Sequence, residues 1–204
     1  MSEPIPMQFV ATQPPEEVAR ANFYGLLARL FYAPPDAELL DALASAGPLE
    51  AEGEGSVAEA WLRLAEAAGS ADPETLREEY ETVFVGTGKA PVTLYTSAYT
   101  IRFSNEVPLA RLRGELAALG LSRRSEVHEP EDHVAALFDV MRYLIGEQKR
   151  ELAEQKAFFE RWIWPTIDPL CSAIQQSDKT AFYKAVSRFM RELCTVEHMA
   201  FEML

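Results

Sequence analysis

The segment PPEEVARANFYGLLARLFYAPP, residues 14–35, has the apolar spacing of an amphipathic helix. Its prolines and glutamates suit the first turn of a helix, and Pro34 and Pro35 end it. The same spacing returns along most of the chain, for example near residues 57–68 and 107–119. No sustained two-residue alternation is present, and no hairpin dipeptide joins two apolar runs. The sequence therefore predicts an all-α fold, a single-domain bundle of roughly eight to ten helices over residues 1–204.

Glycines and prolines mark the predicted helix ends. Gly86 and Gly120 are expected to end helices. A helix is expected to start within Glu129–His133, with Pro130 in its first turn. Pro165 and Pro169 are expected to interrupt the helical stretch that follows residue 148. A hinge between the two halves of the domain is placed near residues 122–128.

The net charge of −13, from 32 acidic and 19 basic residues, argues against a nucleic-acid partner. It favours a basic partner, most strongly at low salt, or else it serves solubility alone. The N-terminus lacks the basic and apolar regions of a secretory signal, and no apolar run reaches the ~18 residues of a membrane span. We therefore expect a cytoplasmic protein without stable membrane insertion.

The cysteines and histidines indicate neither a disulfide framework nor a metal site. Cys171 and Cys194 stand alone within helical patterns, which predicts buried, reduced thiols. His128 and His133 are separated by a predicted helix start, so the paired spacing of a zinc site is absent. The sequence predicts no metal and no cofactor.

The stretch Gly86-Thr87-Gly88-Lys89 invites a phosphate-binding interpretation. A P-loop requires Ser or Thr after its lysine and a preceding strand, whereas Ala90 and Pro91 follow Lys89 and a helical pattern precedes it. One alternative function stays open: a nucleotide-binding or hydrolytic protein that uses Lys89 with Asp132 and His133. A second alternative is an adaptor that binds a helix of a partner unrelated to export.

Three segments, in order, resemble the TorD/DmsD family of redox-enzyme maturation chaperones. They are Glu79-Tyr80-Glu81-Thr82-Val83-Phe84-Val85-Gly86, a proline- and aromatic-containing loop that ends in Ser97-Ala98-Tyr99, and Glu129-Pro130-Glu131-Asp132-His133. The resemblance spans most of the chain, and the last pentapeptide is its most specific part.

The resemblance implies a cytoplasmic helical protein without enzymatic activity. Such proteins bind the twin-arginine signal peptide of a molybdenum- or tungsten-cofactor oxidoreductase and hold the enzyme until its cofactor is inserted before export. The implied partners are that signal peptide and the apo form of a molybdoenzyme catalytic subunit. The client enzyme, the choice between a monomer and a segment-swapped dimer, and direct binding of guanine nucleotide or molybdenum cofactor are left open.

A twin-arginine signal requires acceptors for guanidinium groups beside an apolar groove. We expect the loop and the Glu129–His133 segment to form one such surface, in which Asp132 receives an arginine and His133 orients Asp132 or bonds a peptide carbonyl. Irregular backbone in the loop is expected to leave N–H and C=O groups free for the peptide. The alternative is that the apolar members fill the core. The predicted peptide-binding residues are Val83, Phe84, Gly86, Pro91, Leu94, Tyr95, Ser97, Tyr99, Glu129, Asp132 and His133.

Overall fold

The computed structural model describes residues 13–49, 56–86, 90–101, 107–125, 127 and 129–204. Over these residues the chain is all-helical and contains no strand, as predicted, apart from one isolated bridge between Tyr95 and His133. The helices are α1 Pro15–Tyr32, α2 Ala37–Ala44, α3 Ser56–Gly69, α4 Pro73–Tyr80, α5 Ser97–Thr100, α6 Pro108–Ala118, α7 Val134–Gly146, α8 Leu152–Phe158, α9 Trp164–Gln176 and α10 Phe182–Glu202, with π-helical segments π1 Glu81–Val85 and π2 Phe159–Ile163.

Two of the helices continue through π-helical turns. Helix α4 runs into π1, and α8 runs through π2 into α9, so the described residues form 9 continuous helical rods. The predicted interruption at Pro165 and Pro169 is wrong, because Pro165 opens α9 directly after π2 and Pro169 lies inside α9. The helical hydrogen bonding continues up to the residue before Pro165, since the Trp164 N–H donates to the Phe159 carbonyl across π2.

Helix α7 begins later than the sequence suggests. Its first residue is Val134, and His133 is its N-cap, so Pro130 lies in the turn before the helix and not in its first turn. The reason is a pair of long-range hydrogen bonds. The Val134 N–H donates to the Leu94 carbonyl at 2.8 Å, and the Thr96 N–H donates to the Asp132 carbonyl at 2.9 Å. These bonds hold the preceding residues out of the helix.

The core is built around α1, which packs along α7. Phe31 of α1 contacts Phe138 of α7 and Tyr183 of α10, with ring centroids 6.4 and 6.2 Å apart. All three side chains are fully buried. Helix α10 also packs on α3 and α9. The residues preceding α7 are therefore attached to a helix that packs closely on α1.

A buried polar network joins α1 to α10. Arg20 donates to both carboxylate oxygens of Glu197, at 3.0 and 2.5 Å, and to the Gln155 side-chain oxygen at 3.0 Å. The Tyr24 hydroxyl donates to Glu197 at 3.1 Å. Because every partner is hydrogen-bonded, the cost of burying this ion pair is offset.

The two cysteines are free and buried, as predicted. Burial raises the pKa of the Cys171 thiol to about 12, so it stays protonated at neutral pH. In the part of the chain that the structure describes, no helix has both the length and the hydropathy needed to cross a bilayer.

Candidate functional site

The predicted site residues at the end of α4 lie in the hydrophobic core. Val83 is fully buried and Phe84 is 8% exposed. The Phe84 ring meets Tyr183 edge-on, with centroids 4.8 Å apart, and lies 5.2 Å from the Tyr80 ring. Gly86 ends π1 with a φ of 63°, a conformation that favours glycine. Val83 and Phe84 therefore pack in the core, below the surface formed by the other predicted site residues.

Glu79 and Tyr80 have a role that the sequence analysis missed. The Glu79 carboxylate accepts hydrogen bonds from the N–H groups of Ala181 and Tyr183, at 3.2 and 3.3 Å, where α10 begins. The Tyr80 hydroxyl donates to the carbonyls of Phe31 and Tyr32, where α1 ends. No local pattern signals these contacts, because the partners lie 48–104 residues away.

The residues Glu129–His133, hereafter the acidic ridge, lie against residues 90–101, hereafter the connector. Backbone hydrogen bonds join the two segments on both sides of the Tyr95–His133 bridge. The Tyr95 and His133 rings meet edge-on, with centroids 5.5 Å apart and planes at 81°. The structure therefore brings together two of the three segments that carry the resemblance and places Tyr95 directly beside the ridge.

The acidic ridge separates two clefts. The connector cleft, about 590 Å³, lies between the connector and the start of α6. The α1–α7 cleft, about 650 Å³, lies between these two helices and residues 121–127. Asp132 lines only the connector cleft, and Pro130 lines both clefts. Three residues of the ridge line only the α1–α7 cleft: Glu129, Glu131 and His133.

The connector cleft is mainly apolar, with one buried acid in its wall. Its lining includes Ile101, Val107 and Leu109. Asp132 is 6% exposed, and from the described residues its carboxylate accepts one long hydrogen bond, 3.4 Å, donated by the Ser97 N–H. Among the described residues no Lys, Arg or His forms an ion pair with Asp132. The wall of this cleft therefore holds a buried carboxylate without an ion-pair partner among the described residues. Arg113 attracts it at longer range, because the charge of Asp132 is one cause of the raised pKa of Arg113.

The neighbouring acids of the ridge, Glu131 and Glu129, have side-chain partners for their carboxylates. Glu131 forms ion pairs with Arg113 at 3.0 Å and Arg123 at 3.5 Å. The hydrogen bond from Arg113 is the main cause that lowers the pKa of Glu131. Glu129 accepts a short hydrogen bond from the Tyr95 hydroxyl. This bond, together with burial, raises the pKa of Tyr95 to about 12.

His133 is buried and serves as the N-cap of α7. Its Nδ1 accepts the Ala135 N–H at 3.3 Å, which requires an unprotonated nitrogen. Burial lowers the pKa of His133, against the opposing effect of Glu129 and Asp132. Over the described residues, no hydrogen bond joins the His133 ring to the Asp132 carboxylate, so the pair lacks the geometry of a nucleophile-activating dyad.

The connector's backbone is largely occupied by its own hydrogen bonds. Helix α5 uses the N–H groups of Ala98, Tyr99 and Ile101, which donate to carbonyls three or four residues earlier in the chain at 3.0–3.1 Å. The Tyr99 hydroxyl donates to the Thr93 carbonyl. The expectation of free N–H groups in this loop is therefore wrong for residues 95–99 and 101, partly because Ser97–Thr100 form a helical turn.

The remaining predicted residues occupy different depths. Pro91 is exposed, Tyr99 is half-buried against the core, and Leu94 is buried. Lys89, with Thr87 and Gly88, lies outside the described residues, as do His128 and part of the hinge placed near residues 122–128. Within the described residues, no group of three His, Cys, Asp or Glu side chains is arranged to hold a metal ion.

Comparison with known proteins agrees with this fold. The family model described as nitrate reductase delta subunit matches residues 50–172. Chaperone protein TorD of Photobacterium profundum is 25% identical over 133 residues, which cover 60% of this chain and 62% of the relative. The chain thus spans less than two thirds of that relative's length.

A solved structure from Archaeoglobus fulgidus, a candidate redox enzyme maturation protein, has a TM-score of 0.56 and 16% identity to this chain. The similarity covers 93% of this chain and 99% of the other, and at this identity it shows the fold alone. The family model spans more than half of the sequence. The chain therefore belongs to the nitrate reductase delta subunit family, which is the TorD family of redox-enzyme maturation chaperones.

Proposed function

We propose that this protein binds the twin-arginine signal peptide of a molybdenum- or tungsten-cofactor oxidoreductase in the connector cleft. It acts by binding, without catalysis, and it retains the apo enzyme in the cytoplasm until the cofactor is inserted. The observation that carries the binding step is the buried Asp132 carboxylate in an apolar wall, which has no ion-pair partner among the described residues. The retention step rests on the family assignment.

A guanidinium group fits the chemistry of Asp132. A buried carboxylate without a cation is costly, and an arginine of a ligand would relieve that cost with charge-assisted hydrogen bonds. Arginine is better suited than lysine, because its planar fork matches a carboxylate and is less strongly hydrated. The apolar side chains of Ile101, Val107 and Leu109 offer a surface for the apolar run that follows the arginines.

The ligand is expected to bind through its side chains. Backbone pairing of the kind that adds a strand to a sheet edge requires unoccupied N–H and C=O groups. In the connector most of the N–H groups are used by α5 and by contacts with the ridge and with neighbouring residues. A helical or turn-forming leader that lays its apolar side chains in the cleft is therefore favoured over strand addition.

Long-range charge favours the same ligand. The chain carries a net charge of −13, so a basic leader is attracted before contact. Association should slow as salt rises, because screening weakens the attraction between exposed charges. The apolar part of the contact should preserve a share of the affinity at high salt.

The test is calorimetric titration of the purified protein with a synthetic leader that has two adjacent arginines before an apolar run. Asp132→Asn should weaken binding about tenfold, in line with the loss of one charge-assisted hydrogen-bonded pair. Glu66→Gln is the matched control, because Glu66 is exposed on α3 and lines neither cleft. Equal affinity of wild type and Asp132→Asn, with both proteins folded, would refute this function.

A further inference from the structure

The three acids of the ridge are not equivalent. Glu131, in the middle, is neutralised by Arg113 and Arg123. Glu129 and Asp132, on either side of it, form no ion pair with any described residue. These two carboxylates also line different clefts, since Glu129 lines the α1–α7 cleft and Asp132 the connector cleft.

Four arginines line the α1–α7 cleft, and within the described residues none of them forms an ion pair with Glu129. Three of the four pair with other acids. Arg29 pairs with Asp36, Arg123 with Glu131, and Arg142 with both Asp139 and Glu147. The fourth, Arg124, is exposed and forms no ion pair among the described residues. Glu129 is instead held by the hydroxyl of Tyr95.

The Tyr95–Glu129 hydrogen bond crosses the ridge. Tyr95 lines the connector cleft, whereas Glu129 lines the other, so the bond joins the two clefts beside Pro130. The Tyr95 ring is also fixed edge-on against His133. A phenol is a neutral donor, and a guanidinium group offers the same carboxylate both a charge and a forked pair of donors. A ligand arginine can therefore displace the Tyr95 hydroxyl from Glu129.

We propose that Glu129 and Asp132 bind two guanidinium groups of one ligand on opposite sides of Pro130, and that Tyr95 holds Glu129 until the ligand displaces it. This inference rests on the proposed function, since the ligand is the same leader. It gives each of two adjacent arginines its own carboxylate and its own cleft. The two arginines can lie in a short extended stretch ahead of the helical or turn-forming apolar run, and consecutive side chains of an extended stretch point in opposite directions, which suits a ligand that straddles the ridge.

The experiment is a set of double-mutant cycles measured by calorimetry. The ligands are the leader with both arginines, two leaders with one arginine replaced by lysine, and the leader with both replaced. The proteins are wild type, Glu129→Gln, Asp132→Asn, Tyr95→Phe and the Glu66→Gln control. Coupling between a protein variant and a ligand variant reports direct interaction of the two side chains. Thermal unfolding of every variant checks that it is folded.

We expect Glu129→Gln to abolish the cost of replacing one arginine, and Asp132→Asn to abolish the cost of replacing the other. Tyr95→Phe should bind the two-arginine leader roughly fivefold more tightly, because the ligand no longer breaks a hydrogen bond to a charged group. Glu66→Gln should show no coupling to either arginine.

Three results would overturn the inference, and they differ from a failure of the proposed function. The inference fails if Glu129→Gln behaves like Glu66→Gln, if both ridge variants couple to the same arginine, or if Tyr95→Phe weakens binding. In each of these cases the leader still binds and the proposed function stands. If wild type binds no leader, the proposed function and the inference fail together.

Discussion

The Glu79–Val85 segment and the acidic ridge both carry the resemblance to the family, yet they serve the molecule differently. The first is committed to internal contacts: Glu79 caps α10, Tyr80 bonds the end of α1, and Phe84 contacts Tyr183. The ridge leaves two carboxylates without a cation among the described residues, and each faces a cleft. A shared family pattern therefore contains residues that maintain the fold and residues that are available to a ligand.

Burial and satisfaction of polar groups distinguish the two regions. In the Glu79–Val85 segment, the long-range contacts of Glu79, Tyr80 and Phe84 are with α1 and α10. On the ridge, Asp132 is as deeply buried as Phe84, but its carboxylate accepts only one long hydrogen bond from the described residues. This difference can be tested at three positions, of which the first two lie in the fold-maintaining region.

The largest effect is expected from Phe84→Ala. The change removes a buried ring that contacts Phe31, Tyr80 and Tyr183, so the free energy of unfolding should fall by about 3–5 kcal/mol. Urea unfolding followed by circular dichroism measures it. Val85→Ala is the control, because Val85 is 59% exposed, and it should change stability by less than about 0.5 kcal/mol. If Phe84→Ala lowered the free energy of unfolding no more than Val85→Ala does, the Phe84 ring would not be part of the core.

An intermediate effect is expected from Tyr80→Phe. The ring stays in place, but two carbonyls at the end of α1 lose their shared donor, at 3.0 and 3.1 Å. Stability should fall by about 1–2 kcal/mol, the cost of leaving buried acceptors unpaired. Tyr32→Phe, at a tyrosine that is 59% exposed, should be neutral by the same unfolding assay. Equal stability of Tyr80→Phe and wild type would show that these carbonyls are satisfied without Tyr80.

The smallest effect concerns the ridge and its pH dependence. The pKa of His133 is lower in the folded protein than its ordinary value of 6.5, so the unfolded chain binds a proton more readily. The contribution of neutral His133 to the free energy of unfolding is therefore complete above pH 6.5 and is lost as pH falls below that value. Asn at position 133 can still cap α7 but does not titrate.

His133→Asn should accordingly lose less stability than wild type when pH is lowered from about 7 to about 5.5. Thermal unfolding at several pH values, with both proteins in the same buffers, measures the difference. Parallel pH profiles for the two proteins would show that His133 contributes nothing to the pH dependence.

Local signals in the sequence were sufficient for much of the fold. Helical spacing predicted the all-α class, and Gly86 and Gly120 end helices with φ values of 63° and 77°. Local signals failed where distant residues compete for the same groups. The ridge is not helical because Thr96 bonds its backbone from 36 residues away and Leu94 bonds the adjoining Val134 from 40 residues away. Pro165 does not interrupt the helix, because the π-helical segment π2 precedes it and carries the hydrogen bonding as far as Trp164.

For the candidate site, the sequence indicated which side chains carry the chemistry but not how they are divided. Two glutamates of the ridge have different partners: Glu131 forms ion pairs with two arginines, whereas Glu129 accepts a hydrogen bond from a tyrosine. Val83 and Phe84 have the composition of a peptide groove, but packing against α1 and α10 places them in the core. Their assignment as peptide-binding residues stays a prediction.

By itself the sequence determined a helical, strongly acidic chain, because apolar spacing, glycine stops and net charge are properties of short segments or of composition. The family was indicated separately, by the resemblance of three motifs. Only the tertiary structure decided that the acidic ridge stands between two clefts and which of its carboxylates lack a cation among the described residues. Ion pairs and hydrogen bonds depend on atoms within a few ångströms of one another. In this chain those atoms come from segments that are far apart in sequence.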